Sequence, residues 1–289
     1  MADDIPSKTD WLANLVLRGL IGGAMALPYR RRVPAMGWIL RRIIGPLAGY
    51  RRQAMENLTL IYPDMAAAER RRIADAVCDN FGRTLIENYS GAVFGAHLKD
   101  APITGNGLAA VANARAERRP VIFVTGHFGN HEAPRQVLTA MGYQIGGLFR
   151  PMQNRFFNVH YARTMTEMSG PVFEQGHRGT MGFVRFLRGG GMGTLLFDVR
   201  VVKVPKIDFL GHPALTATSA ADFALKFNAL LVPYFGIRQP DGLSFEIAIE
   251  DPIEHTDALT MTTEMTRRLE ARIAENPEQW FWVHRRWRD

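Results

Sequence analysis

Two kinds of hydrophobic pattern alternate along the chain. Short continuous apolar runs, such as residues 121–124, predict buried strands, and runs with apolar residues three or four positions apart predict amphipathic helices. The clearest helix is predicted from Met65 to about Tyr89. Its buried face is formed by Ile73, Val77, Phe81 and Leu85. Strands that alternate with helices predict an α/β fold, in which helices cover a largely parallel central sheet.

The remaining elements follow the same two patterns. Further helices are predicted over residues 108–116, 132–141, 154–168, 219–228 and 256–275. Further strands are predicted over residues 143–150, 194–197, 230–235 and 243–249. Residues 101–106 are expected to form a short edge strand or a connection, and the glycines between 189 and 193 a flexible corner. Thr218 is expected to cap the helix that begins at Ser219.

The first 60 residues differ from the rest in composition. Eight arginines and no acidic residue lie between Trp11 and Met55, where the arginines interrupt and flank the apolar runs 11–27 and 33–50. Those eight charges exceed the formal net charge of +7 of the whole chain, so the rest of the protein is close to neutral. An apolar surface with arginines and without acids is typical of a segment that binds an anionic membrane. We therefore expect a membrane-associating helical segment over residues 1–60 and an α/β domain over residues 61–289.

Other interpretations of this segment remain open. A nucleic-acid-binding arm would be basic but also polar, so no nucleic-acid partner is expected. Residues 11–27 approach the minimum length of a membrane-spanning helix, but Arg18 and three glycines make spanning costly. A buried internal helix pair is the alternative to a membrane-bound segment. A cleaved signal peptide is not expected, because the first residues are acidic, with Asp3 and Asp4, rather than basic.

The general composition narrows the possible chemistry. Hydrophobic residues make up 47% of the chain and charged residues 22%, which is typical of globular proteins. The single cysteine, Cys78, excludes an intrachain disulfide framework and a zinc site built from several cysteines. The glycines at 189–193 are not followed by the Lys-Ser/Thr pair of a phosphate-binding loop. No serine or cysteine stands in a nucleophile elbow, so a covalent acyl-enzyme is not expected.

A candidate base follows the predicted strand 121–124. His127 comes directly after this strand, and Gly126 and Gly129 beside it allow a substrate to approach the backbone. Glu132 opens the next helix, and its carboxylate could contact the His127 ring and stabilise the imidazolium. His131 is a second candidate base. A His-Glu pair without a nucleophile suits direct transfer, in which the histidine deprotonates a substrate hydroxyl that attacks an activated acyl group.

Two further points about the chemistry concern the stabilisation of the oxyanion and the possibility of a metal site. The tetrahedral oxyanion of such a transfer needs hydrogen-bond donors, and Arg150 at the end of a predicted strand is a candidate. A metal site formed by His127, His131 and Glu132 is the alternative. The spacing of metalloprotease ligands requires both histidines inside one helix, with Glu directly after the first. Here the segment opens a helix, and Phe128 and Gly129 follow His127, so no metal is expected.

Five blocks of sequence together resemble a known family. They are residues 126–132 (GHFGNHE), 149–154 (FRPMQN), 195–198 (LLFD), 208–216 (DFLGHPALT) and 277–287 (PEQWFWVHRRW). In this order they are similar to the late acyltransferases of lipid A biosynthesis, the lauroyl/myristoyl transferase family within the wider lysophospholipid acyltransferase group. The first block looks like the His-x4-Asp/Glu motif of that family, which often has Trp in place of His131. The resemblance extends over almost the whole chain.

This resemblance implies a function and a set of site residues. It implies a glycerolipid-acyltransferase-like fold and transfer of a fatty acyl chain from acyl carrier protein to a hydroxyl of a lipid A precursor of the Kdo-lipid IVA type. The location implied is the cytoplasmic face of the inner membrane of a Gram-negative bacterium, on anionic lipid. No metal or organic cofactor is implied. The implied catalytic pair is His127 and Glu132. The implied substrate-binding residues are Gly129, Asn130, Arg150, Asn154 and Asp198.

Two departures from the family pattern concern the substrate. Val199 replaces the usual Gln after Asp198, and the Pro-Phe-Phe block begins with Asp208 and Phe209. An O-acyltransferase that acts on another membrane lipid or glycolipid is therefore an alternative. A non-catalytic peripheral membrane protein, in which His127 is structural, is a more remote one.

Overall fold

The computed structural model describes residues 8–152, 154–168 and 170–288. Residues 1–7 of the predicted N-terminal segment and Gln153 of the second sequence block lie outside these ranges. The α-helices are α1 (Lys8–Met25), α2 (Tyr29–Ile39), α3 (Gly45–Leu47), α4 (Tyr50–Ile61), α5 (Ala67–Tyr89), α6 (Gly91–His97), α7 (Gly107–Ala116), α8 (Ala133–Ala140), α9 (Arg155–Met168), α10 (His177–Arg188), α11 (Ser219–Phe227) and α12 (Ala258–Glu275). A π-helical turn, Leu40–Ile44, joins α2 to α3, and a 3₁₀ turn, Pro277–Gln279, follows α12.

A seven-stranded sheet forms the centre of the protein, as the sequence predicts. The strands are β1 (Ile103–Thr104), β2 (Val121–Thr125), β3 (Ile145–Phe149), β4 (Val172–Glu174), β5 (Met192–Leu196), β6 (Lys206–Phe209), β7 (His212–Leu215), β8 (Leu230–Arg238) and β9 (Phe245–Ile249). Their order in the sheet is β1-β9-β8-β2-β5-β3-β4, and β6 pairs with β7 in a separate hairpin. Among the described residues, β8–β9 is the only antiparallel strand pair of the large sheet, so the predicted largely parallel sheet is confirmed.

The sheet places β2 between β8 and β5, with hydrophobic clusters on both faces. All five residues of β2 are buried, which agrees with the continuous apolar run that predicts this strand. Ligands of open α/β sheets bind beyond the carboxyl ends of the parallel strands. The carboxyl ends of β2 and β5 are neighbours, because Thr125 pairs with Leu196.

Some predicted boundaries and caps differ from the structure. The strand predicted at 194–197 begins two residues earlier, and the one predicted from 143 begins at Ile145. Thr218 is the N-cap residue of α11, as predicted, but its hydroxyl donates to the side chain of Asp222 instead of accepting a capping bond from a backbone N–H. Short elements that the sequence did not predict are β4, α10 and the β6–β7 hairpin. The strands β4, β6 and β7 have only three or four residues each, so their patterns give a weak signal, whereas α10 has 12 residues and was simply missed.

The N-terminal segment divides into an internal and an external part. Val33 and Met36 of α2 are fully buried against α5, where a side chain at Gly82 would meet the Met36 carbonyl oxygen at 2.5 Å. The packing of α2 therefore matches the predicted alternative, in which the N-terminal helices are buried inside the protein. In contrast, α1 keeps a largely apolar surface exposed. No helix in the described ranges is long and apolar enough to cross a membrane.

Candidate active site

The site lies at the neighbouring ends of β2 and β5. Because Thr125 pairs with Leu196, the residues two positions beyond each strand also meet. These residues are His127 and Asp198. Gly126 allows this contact, because a Cβ atom there would lie 3.0 Å from the Asp198 carboxylate and 2.7 Å from Leu269.

A carboxylate from β5, rather than from the following helix, contacts the His127 ring. His127 Nδ1 lies 2.8 Å from Asp198 Oδ1, and the His127 backbone N–H donates to Asp198 Oδ2 at 2.7 Å. Asp198 is almost completely buried, whereas the His127 side chain retains 33% of its exposure. With Nδ1 bonded to Asp198, Nε2 is the ring nitrogen that can exchange a proton with a substrate.

The two groups stabilise each other's charged form. Burial alone would lower the pKa of His127, but the charge of Asp198 and their hydrogen bond raise it above the ordinary imidazole value. Burial alone would raise the pKa of Asp198. The opposite charge of His127, hydrogen bonds from its ring and backbone, and a bond from the Trp280 indole instead hold that pKa well below its usual range. Asp198 is therefore ionised and suited to stabilise a protonated His127.

The predicted contact between Glu132 and the His127 ring is not formed. The Glu132 carboxylate is buried and lies 3.2 Å from Nη1 of the fully buried Arg135. Glu132 is the N-cap residue of α8, and Arg135 lies three positions further on, in the first turn of that helix. Side chains three positions apart are neighbours on a helix, so the Glu132 carboxylate pairs with Arg135.

Gly129 and Asn130 hold the loop that carries His127. Gly129 has φ of +52°, and a Cβ atom there would collide with the Gly236 carbonyl oxygen at 1.9 Å, so only glycine fits. The fully buried Asn130 donates through Nδ2 to Glu87 at 2.9 Å and accepts at Oδ1 from the Glu132 backbone N–H at 3.0 Å. These bonds give both residues a structural role beside the site.

Glu87 belongs to a buried ionic network behind this loop. Arg238 Nη2 donates to Glu87 Oε2 at 2.8 Å and to Thr84 Oγ1 at 3.1 Å. The Thr84 hydroxyl in turn donates to the Gly129 carbonyl oxygen at 2.9 Å. Sequence reasoning missed this network, because Glu87 and Thr84 lie on a helix whose apolar face was the only visible signal.

The other predicted substrate-binding residues lie at the same edge of the sheet or near it. Arg150 is exposed directly after β3, which is two strands from β2. This corresponds to roughly 10 Å between the strand ends. Asn154 directly precedes α9, where its Oδ1 accepts from the Phe157 backbone N–H at 3.1 Å and its Nδ2 donates to the Asp10 carbonyl oxygen at 2.8 Å.

His131 is not suited to be the base. Its ring centroid lies 5.4 Å from that of His127, and burial lowers the pKa of His131 to about 4. It is therefore neutral and only weakly basic near pH 7. In the parts of the chain that the structure describes, no group of three or more His, Cys, Asp or Glu residues could hold a metal ion.

The chain end forms one wall of the site. The Phe281 ring lies 5.8 Å from the His127 ring, and Trp280 Nε1 donates to Asp198 Oδ2 at 2.9 Å. The family resemblance seen in the sequence includes the block 277–287 but assigns no role to Trp280. The two departures from the family pattern lie nearby: Val199 follows Asp198, and Phe209 packs on the Trp280 ring at 5.2 Å. Asp208 accepts from the Gly211 backbone N–H in the β6–β7 hairpin.

Comparison with known proteins gives a consistent result. The model of a family described as bacterial lipid A biosynthesis acyltransferase matches residues 4–289. The chain is 22% identical to lipid A biosynthesis acyltransferase 2 of Shigella flexneri, over 96% of this chain and 90% of that protein. It is 24% identical to the lipid A biosynthesis myristoyltransferase of Escherichia coli, over 94% and 85%. It is 26% identical to the lauroyltransferase of the same organism, over 80% and 77%.

Proposed function

The chain belongs to the bacterial lipid A biosynthesis acyltransferase family and is an acyltransferase, and on this premise we propose its donor, acceptor and base. The donor is an acyl carrier protein thioester. The acceptor is a hydroxyl of a lipid A precursor of the Kdo-lipid IVA type. His127 is the general base. The observation that carries this proposal is the 2.8 Å contact between His127 and the buried Asp198 at the ends of two parallel strands.

Each step follows from the geometry of this pair. The acceptor hydroxyl loses its proton to His127 Nε2 as its oxygen attacks the thioester carbonyl carbon. Asp198 stabilises the imidazolium that forms and keeps Nε2 directed away from itself. The tetrahedral oxyanion then collapses and breaks the carbon–sulfur bond. The imidazolium returns the proton to the departing thiolate, so the products are an ester and the free thiol of the carrier protein.

Arg150 remains our candidate for contact with the oxyanion or the acceptor, because it is exposed at the same sheet edge. Asp198 is proposed as the partner of His127 in place of Glu132. Glu132 stays a predicted catalytic residue, although its carboxylate pairs with Arg135 and not with His127. Gly129, Asn130 and Asn154 stay predicted substrate-binding residues, although the bonds of all three support the protein itself.

The reaction is tested by mass spectrometry of the products. The purified protein receives acyl carrier protein thioesters of several chain lengths, and the same acyl groups on coenzyme A, with a Kdo-bearing lipid A precursor. We expect a mass gain of one acyl chain from the carrier-protein donors and a smaller yield from coenzyme A. Because a thioester already activates the acyl group, the reaction should need no metal, and added EDTA should leave the yield unchanged.

Different results would point to the alternatives. If only other membrane hydroxy-lipids or glycolipids gain an acyl chain, the acceptor proposed here is wrong and the reaction class stands. If the folded protein acylates none of these acceptors from either donor, the proposed base chemistry is contradicted as well.

We further propose that α1 binds the cytoplasmic face of the inner membrane. The support is its exposed apolar surface: Trp11, Leu12, Leu15 and Val16 are each 52–61% exposed. Exposed arginines of the N-terminal segment 1–60, of which Arg18 lies on α1, can contact anionic lipid. They are Arg18, Arg30, Arg31, Arg42 and Arg52. Arg32 and Arg51 are not available, because Arg32 is buried and Arg51 lies 2.6 Å from Asp75.

Replacing Leu15 and Val16 together with glutamate is expected to weaken binding to anionic vesicles by at least about tenfold. Each buried Leu or Val contributes about 1.5–3 kcal/mol, and about 1.4 kcal/mol corresponds to tenfold in affinity. Co-flotation with vesicles that contain phosphatidylglycerol measures the change. The matched control replaces Leu225 and Leu259, exposed on α11 and α12, with glutamate. Equal losses in both double variants would contradict a specific role of α1.

A further inference from the structure

The second oxygen of Asp198 is held by two donors. Oδ1 faces the His127 ring, while Oδ2 accepts from the His127 backbone N–H at 2.7 Å and from Trp280 Nε1 at 2.9 Å. Asp198 is buried, so water cannot easily replace either donor. The orientation of the carboxylate therefore depends on three N–H groups, one of which comes from a residue 82 positions further along the chain.

Trp280 is itself rigidly held. It is 1% exposed, and its ring packs against Phe209 at 5.2 Å and Trp282 at 4.8 Å. Its backbone forms a bridge with Phe128 in the loop that carries His127. The Gly129 backbone N–H also donates to the carbonyl oxygen of the neighbouring Gln279 at 2.9 Å. The ring packing therefore restrains the indole, and the backbone that carries it is bonded to the loop on which His127 lies.

We propose that Trp280 is a positioning residue for acyl transfer, which holds the Asp198 carboxylate in the orientation that accepts from His127 Nδ1. This inference rests on the proposed function of the His127–Asp198 pair. Without the indole N–H, Oδ2 keeps a single donor and the carboxylate can rotate about its Cβ–Cγ bond. His127 then loses a fixed tautomer and ring orientation. The chain end is thus part of the machinery that acts on the substrate, although Trp280 itself does not touch the substrate.

The test compares Trp280→Phe with Trp282→Phe. Both substitutions remove a buried indole from the same segment, and Trp282 Nε1 donates to the Pro277 carbonyl oxygen, away from Asp198. Because a hydrogen bond to a charged group is lost, we expect Trp280→Phe to lower kcat by about tenfold to a hundredfold with KM within about twofold. Trp282→Phe should lower kcat by less than about threefold. Circular dichroism confirms that both variants are folded.

A double-variant cycle tests whether Trp280 acts through Asp198. In the Asp198→Asn background, Trp280→Phe should cause almost no further loss of kcat, because the carboxylate that it positions is already gone. Multiplicative losses would overturn the proposal, as would a wild-type kcat in a folded Trp280→Phe enzyme. Equal losses in Trp280→Phe and Trp282→Phe would also overturn it, since they would indicate a general packing effect.

An NMR measurement tests the contact without any activity. In ¹⁵N–¹H spectra of the full chain, the indole resonance of Trp280 is the one that disappears in Trp280→Phe. It should shift in Asp198→Asn, while the Trp282 indole resonance stays in place. An unmoved Trp280 resonance would overturn the inference even in an active enzyme. If the resonance shifts but the protein transfers no acyl group to any acceptor, the proposed function fails and the contact stands.

Discussion

Replacing His127 with glutamine is expected to lower kcat for acyl transfer by about 10²- to 10⁴-fold, with little change in the folded structure. Glutamine keeps a polar side chain beside Asp198 but cannot take the proton of the acceptor hydroxyl. The effect should appear in kcat rather than in KM, because proton transfer occurs in the transition state. The rate of product formation, measured by mass spectrometry at saturating donor, gives the value.

A suitable control is His255→Gln. His255 also bonds within the fold, through Nε2 to the Ala229 carbonyl oxygen at 2.8 Å, but it lies at the opposite end of β8 from the site. Its replacement should leave kcat within about threefold. If His127→Gln keeps more than a tenth of wild-type kcat, His127 is not the base and the proposed mechanism is wrong.

The dependence of kcat on pH decides between Asp198 and Glu132 as the partner of His127. In the proposed mechanism His127 must be neutral to take the hydroxyl proton, so kcat should rise with pH as His127 loses its proton. The negative charge of Asp198 raises the pKa of His127, so this rise should be centred above the ordinary imidazole value. In Asp198→Asn the rise should move to lower pH, and the plateau should fall. If Glu132→Gln rather than Asp198→Asn moves it, the pairing predicted from sequence is correct.

The position of the proposed base was visible in the sequence, whereas the carboxylate that contacts it was not. An apolar run followed by Gly-His is enough to predict a strand end with His127 at the edge of a sheet. Asp198 also follows a predicted strand, but its contact with His127 depends on β2 and β5 being neighbours in matching register. His127 and Asp198 are 71 positions apart in the sequence. The strand order that brings them together is set by long-range packing, which no local pattern encodes. Glu132 was favoured because it is close in sequence.

The N-terminal segment shows a second limit of sequence patterns. Apolar residues separated by arginines predict a membrane-facing helix, yet the same pattern suits a helix that packs inside the protein. In α2 the apolar face is buried against α5, and the Arg32 side chain donates through Nε to the Leu27 carbonyl oxygen at 2.9 Å. In α1 the apolar residues remain exposed. The difference arises from which partner helix is present, and sequence periodicity does not give that information.

Replacing Glu87 with glutamine is expected to destabilise the protein by about 3–5 kcal/mol. The substitution removes the counter-charge of Arg238, whose side chain is 7% exposed, while the Glu87 side chain is completely buried. It also disturbs the bond from Asn130 Nδ2, so the loop that carries His127 loses one of its supports. Urea unfolding followed by circular dichroism should show a lower midpoint with an unchanged slope.

Glu264→Gln is the control for Glu87→Gln. Glu264 forms ion pairs with Arg267 at 2.7 Å and Arg268 at 2.8 Å, but its side chain is 30% exposed and that of Arg267 is 66% exposed. Once the carboxylate is gone, water can solvate Arg267, and Arg268 keeps its ion pair with Glu250 at 3.5 Å. The free energy of unfolding should therefore change by only about 0–1 kcal/mol. Equal decreases in the free energy of unfolding of the two variants would show that burial does not increase the contribution of the Glu87–Arg238 pair to stability. A loss confined to Glu87→Gln, together with a lower kcat of the folded protein, would show that the network holds both the fold and the His127 loop.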